Sequence, residues 1–252
     1  MRTAARIHAR EACRRLAGGS LALLVAGLIL SIARPAIRAE GLGEERKVSP
    51  APPVTALAFA PDGRRLIAGS QAGIDARSWP GLEPARRLET DLAHVHDLEF
   101  SPDGRRLAAA GGEPAATGAI EVWSWPDGDR TLRIGGYDDL VYAVAWSPDS
   151  KRLAGASYDR TVGVHDADSG KLVTRLEGHS RAVLAVSWMG GETLVSAGVD
   201  LSLRVSNPST GERRRVLDNH TGPVCGLAAR PSADGFDGLP MIASVSEDRT
   251  LR

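Results

Sequence analysis

His94 and His96 stand two residues apart in a stretch that reads as a strand, so both imidazoles would point to the same side at a spacing that suits metal ligation. No carboxylate or cysteine stands at a supporting spacing, and the pair therefore reads as ordinary histidines where a loop enters a strand. Asp234 and Asp237 have glycines beside them and suggest calcium, yet the ligand pattern of a calcium loop is absent. Asp159, Asp200 and Asp248 could serve as acids in catalysis. Each occupies the same place in a recurring segment, however, and that suits a turn former better than a single active site. Cys225 lies in an apolar run and reads as a small core residue. No glycine-rich phosphate loop, serine elbow or zinc-protease helix motif occurs. These side chains point to no catalytic residue, metal, cofactor or small-molecule substrate, so the chain reads as a non-enzyme.

The elements that carry these residues repeat. A valine opens each copy at Val54, Val95, Val141, Val183 and Val224, at spacings of 41, 46, 42 and 41 residues. An aromatic follows five residues later as Phe59, Phe100, Trp146 and Trp188, and fails only at Ala229. The most complete copy reads Val-Tyr-Ala-Val-Ala-Trp from Val141, then a Pro148 turn, a second apolar strand, an Asp159 turn, a third strand to Asp166, a Gly170 turn and Leu172 to Leu176. Proline presets φ, aspartate bonds its own backbone two residues on, and glycine accepts positive φ, so each copy is a meander of four antiparallel strands. Val141 to Trp146 is apolar throughout, which predicts that other protein covers both faces. A period just above 40 residues with this pattern is the mark of sheets stacked around an axis.

With Gly178-His179 at the lead-in to one copy and aspartates at 159, 200 and 248, residues 54–252 resemble the WD-repeat family of β-propellers. The resemblance implies an all-β propeller of about five four-stranded blades, the last incomplete, since the sequence given stops within a third strand. It also implies a hydrogen-bonded network inside each blade, built here from His179, Ser196, Asp200, Asp159, His220 and Asp248. The closing Trp-Asp pair departs from the family pattern as Trp123-Ser124, His165-Asp166 and Ser206-Asn207. Asp166 to Lys171 is faintly similar to the repeat of quinone-cofactor propeller dehydrogenases, but the tryptophan that repeat needs is missing. The second copy carries extra residues from Glu113 to Gly118, which predicts a longer loop there.

The start of the chain has a different character. Five arginines and one acid occupy the first 20 residues, and Leu21 to Ala33 then runs without a charge. This layout predicts a signal peptide over 1–39, or an anchor if it is not cleaved, followed by a proline-rich linker over 40–53. The expectation is an exported protein, periplasmic or extracellular, touching a membrane only through that segment. Of 31 basic and 31 acidic residues, 1–39 hold seven and one, which leaves 24 against 30. An acidic remainder argues against nucleic acid as a partner.

The resemblance implies a non-catalytic scaffold that binds a protein or peptide; an enzyme built on the propeller's central face is the competing class. Packing between blades consumes the strand interiors, so discrimination falls to the loops of the two rims. By resemblance, the lead-in loops to first strands share one rim with the second-to-third-strand turns. That rim supplies aromatics and arginines, the residue types that anchor interfaces, and Tyr142, Tyr158 and Arg181, with His96 and Arg160, are the expected contacts. The opposite rim shows mainly the pairs Arg64-Arg65, Arg105-Arg106 and Lys151-Arg152, which read as a solvated edge.

Overall fold

The computed structural model describes residues 52–230 and 241–252, and every regular element in them is a strand. The expected signal segment, most of the linker, and the Asp234 and Asp237 loop lie outside the described residues. The first blade holds β1 (Val54–Phe59), β2 (Arg65–Ser70), β3 (Gly73–Ser78) and β4 (Pro84–Leu88). The second holds β5 (Val95–Phe100), β6 (Arg106–Glu113), β7 (Thr117–Ser124) and β8 (Arg130–Tyr137). The third holds β9 (Val141–Trp146), β10 (Arg152–Ser157), β11 (Val162–Asp166) and β12 (Leu172–Leu176). The fourth holds β13 (Val183–Trp188), β14 (Leu194–Gly198), β15 (Leu203–Ser206) and β16 (Arg213–Leu217). In the fifth, β17 (Val224–Ala229) pairs with β18 (Ile242–Ser246), and Leu251 bridges back to Val245.

Strands pair in chain order within every blade, all antiparallel. The local chemistry explains this. The Asp62, Asp103 and Asp149 carboxylates accept the backbone N–H two residues on, at 2.9, 3.1 and 3.1 Å, which closes each first hairpin. The tight step that follows needs positive φ, met by Gly63 and Gly104 and, at φ 61°, by Ser150.

The core lies between blades. First strands pack on one another in succession, β1 to β5, β9, β13 and β17. Ile67, Ile74 and Leu88 meet Leu98, Leu107 and Trp123 between the first two blades, and equivalent clusters fill the next three gaps. Burying each such side chain contributes about 1.5–3 kcal/mol, so adjoining blades stabilise one another. As expected, β9 is covered on both faces: Val141, Val144, Ala145 and Trp146 are buried, while Tyr142 and Ala143 are partly so. Fourth strands turn outward, and β16 exposes nearly all of its length.

The extra residues of the second copy do not make a longer loop. They lengthen the hairpin: β6 and β7 have 8 residues each where β2 and β3 have 6, and a short turn at 114–116 closes them. A Cβ at Gly111 would lie 2.0 Å from the His94 carbonyl, and one at Gly118 2.2 Å from that of Asp139. Glycine at both places lets the hairpin pass between two lead-in loops, where pairing its backbone is favoured over a free loop.

Candidate interaction site

The three turn aspartates act alike. Oδ1 of Asp159, Asp200 and Asp248 accepts from the hydroxyl two residues on, Thr161, Ser202 and Thr250, at 2.7, 2.9 and 2.7 Å. Oδ2 accepts the backbone N–H of Asp138, Ser180 and Thr221 from the lead-in loop, at 3.2, 3.1 and 3.0 Å. Each aspartate therefore ties the turn between the second and third strands to the loop entering the first, and fixes one rim.

In the fourth blade this tie continues inward. His179 Nδ1 is 2.9 Å from Asp200 and its Nε2 is 2.8 Å from Ser196 Oγ. Burial holds the His179 pKa below the ordinary imidazole range, against the pull of Asp200. Burial works to raise the Asp200 carboxyl, but His179, Ser202 and the Ser180 N–H outweigh it and hold it below the usual carboxylate range. The fifth blade repeats the set with His220, Ser244 and Asp248, at 2.8 Å on both sides of the ring. Ser244 was not among the expected network residues; its offset of four from the aspartate, the same as that of Ser196, is the signal that identifies it.

The third blade is built differently. Tyr137 stands where the lead-in histidine would, four residues before the opening valine, and its hydroxyl lies 2.9 Å from His165 Nε2. Burial raises the Tyr137 pKa and lowers that of His165, which keeps both neutral. Gly155 replaces the network serine, and a Cβ there would meet the Tyr137 hydroxyl at 2.6 Å; at Gly163 it would do so at 2.5 Å. Two glycines thus make room for the larger phenol. In the second blade the interior charge is Glu121, fully buried, which accepts from Arg130 at 2.9 Å and from Thr90 at 2.8 Å.

On the rim fixed by the aspartates, expected contact residues come together across two blades. The His96 ring stacks on Tyr142 with centroids 5.3 Å apart, and Tyr142 stacks on Tyr158 at 5.4 Å. His94 extends the row, tilted, at 6.2 Å from His96. His96 and Tyr142 are the second residues of β5 and β9, and Tyr158 follows β10, so neighbouring first strands set the row. Tyr158 is held by its N–H to the Leu140 carbonyl at 3.0 Å, and Asp139 reaches the Ala115 N–H of the long hairpin at 2.8 Å. Arg160 is exposed one turn position beyond Asp159, at φ 75°. Arg181 is exposed on the lead-in loop of the fourth blade and is not part of the row.

The opposite rim corrects the reading of its basic pairs. The first member, Arg64, Arg105 or Lys151, is exposed, but the second is not a solvated edge. Arg65, Arg106 and Arg152 lie over Trp125, Trp146 and Trp188 of the following blade, with the guanidinium carbon 5.3, 4.7 and 4.9 Å from the ring centroid. Arg106 also donates to the Ala167 carbonyl at 2.9 Å, and Arg152 to Ser209 Oγ at 2.9 Å. They join neighbouring blades through cation–π contact and hydrogen bonds.

Comparison with known proteins agrees with this architecture. The WD domain, G-beta repeat family matches residues 45–74 and 84–124, and the anaphase-promoting complex subunit 4 WD40 domain matches 120–191. Nuclear distribution protein PAC1 of Arthroderma benhamiae is 34% identical over 107 residues, 39% of this chain and 23% of its own length. Coronin-7 of Homo sapiens is 30% identical over 176 residues, 66% of this chain and 18% of its own. PAC1 of Arthroderma otae is 28% identical over 212 residues, 79% of this chain and 44% of its own. The chain thus spans less than half the length of these relatives. They also overturn the exported localisation read from the arginine-rich start: they are eukaryotic nuclear-distribution and coronin proteins, and they point to the cell interior instead of the periplasm or the outside of the cell.

Proposed function

We propose, for a chain whose repeats are of WD40 type, that residues 54–252 form a non-catalytic scaffold on which a protein or peptide docks at the rim of lead-in loops. The stacked row His96, Tyr142 and Tyr158 carries this reading, because it spans two blades and remains only partly buried. Rigid aromatics presented together lose little side-chain entropy on binding and supply the area that anchors an interface. Arg160, two residues beyond Tyr158, and Arg181, on the lead-in loop of the fourth blade, are the proposed flanking contacts, and the turn aspartates hold the loops in place.

A pull-down with the whole chain tests this. The triple variant Tyr142→Ala, Tyr158→Ala, Arg181→Ala is expected to lose its partners while its melting temperature stays within about 4 °C of the parent, a shift that corresponds to about 1 kcal/mol or less. If the triple variant keeps them and Arg64→Ala, Arg105→Ala, Lys151→Ala loses them, the contact lies on the opposite rim and the reading fails.

A further inference from the structure

The aromatic row sits among acids, and this decides what kind of segment it can take. Glu113 is exposed at the tip of the long hairpin, and Asp138 is exposed on the lead-in loop of the third blade. Asp139 and Asp159 are partly buried and join these two elements to the Tyr158 turn through hydrogen bonds to Ala115 and Asp138. Asp159 is already paired with Arg175 at 3.8 Å, so Glu113, Asp138 and Asp139 stand against Arg160, the exposed base of the same loops. The neighbouring lead-in loops add exposed Glu177 and Asp218 together with exposed Arg181. An acidic segment brought to this rim would meet like charge, whereas a cation is drawn by the carboxylates and by the negative faces of the rings.

We infer that the partner of this rim is a basic, arginine-bearing or lysine-bearing peptide segment, one of whose cationic side chains packs on the row of His96, Tyr142 and Tyr158. The inference rests on the docking reading above and narrows it. The stacked row is partly buried and offers its remaining exposed ring surface, and exposed Asp138 and Glu113 meet the remaining positive charge at its border. Carboxylates at the border act through long-range attraction, so binding weakens as salt rises.

The test uses the whole chain and a fluorescein-labelled Gly-Arg repeat peptide, with Gly-Glu and Gly-Ser repeats of the same length, read by fluorescence anisotropy. The Gly-Arg peptide is expected to bind, to lose about tenfold in affinity with Tyr142→Ala and to keep it with Tyr142→Phe, which preserves the ring face. Asp138→Asn with Glu113→Gln is expected to weaken binding about threefold and flatten its salt dependence, while Asp127→Asn on the opposite rim changes neither. Circular dichroism of each variant reports whether its strands are intact. If a Gly-Glu or Gly-Ser peptide binds as well as Gly-Arg and is lost in Tyr142→Ala, the rim docks a partner but the partner is not basic. If no peptide distinguishes Tyr142→Ala from the parent chain, the basic partner and the docking reading fall together.

Discussion

The third and fourth blades share strand order, turn aspartates and burial, yet they fill the same interior position with different chemistry. In the fourth, His179 bridges Asp200 and Ser196, so lead-in loop, turn and second strand are tied by one ring. In the third, Tyr137 bonds His165 on the third strand, and Asp159 holds the turn and lead-in loop and pairs with Arg175 of the fourth strand at 3.8 Å. The polar link has moved from the second strand to the third, and Gly155 and Gly163 open the space it crosses. A blade therefore needs its buried polar groups paired, but the fold does not dictate which pair does it.

The widest separation between the two blades is expected from truncation. Tyr137→Ala empties a buried aromatic site and should cost about 3–5 kcal/mol, whereas Asp200→Ala leaves partners unpaired without a large void and should cost about 1–3 kcal/mol. Denaturant midpoints at constant m-value check the order; a larger loss for Asp200→Ala would mean that the polar link, not packing, governs both blades. A sharper probe returns the fourth-blade serine to the third. Gly155→Ser drives a side chain against the Tyr137 hydroxyl and Ile120, at an expected cost of about 1–3 kcal/mol. Adding Tyr137→His should recover part of that loss, and a double-mutant cycle showing no coupling would separate the two positions.

The smallest effect concerns acid, where the blades should agree. His179 and His165 both have pKa values lowered by burial, so the unfolded chain binds the proton more readily and stability falls as pH drops through the ordinary histidine range near 6.5. Asp200, also lowered, contributes stability above the ordinary carboxylate pKa near 4 that is lost on further acidification. Melting curves between about pH 7.5 and pH 5 should show a decline in stability that is lessened in His179→Asn and His165→Asn alike. A flat profile would show that neither ring resists protonation.

Some of the site was readable in advance because it depends on near neighbours. The turn aspartates bond hydroxyls and N–H groups two residues away, and such contacts survive in any copy that keeps the residue. Tyr137 escaped notice since it does not look like the histidine it replaces, although its place four residues before Val141 marks it. The arginines at 65, 106 and 152 escaped for another reason: their tryptophans are 60, 40 and 36 residues further on, in the following blade.

The amino-acid sequence by itself determined the repeat and the strand order within each blade, because turn chemistry and apolar patterning act over a few residues, while the rim of the lead-in loops was implied by the family resemblance. Only the tertiary structure decided that His96, Tyr142 and Tyr158 stack into one row, that one arginine of each pair is held against a tryptophan, and that a tyrosine and a histidine replace the usual network in the third blade. Those outcomes follow from which side chains of adjoining strands and sheets meet at close range, and no local periodicity encodes that distance.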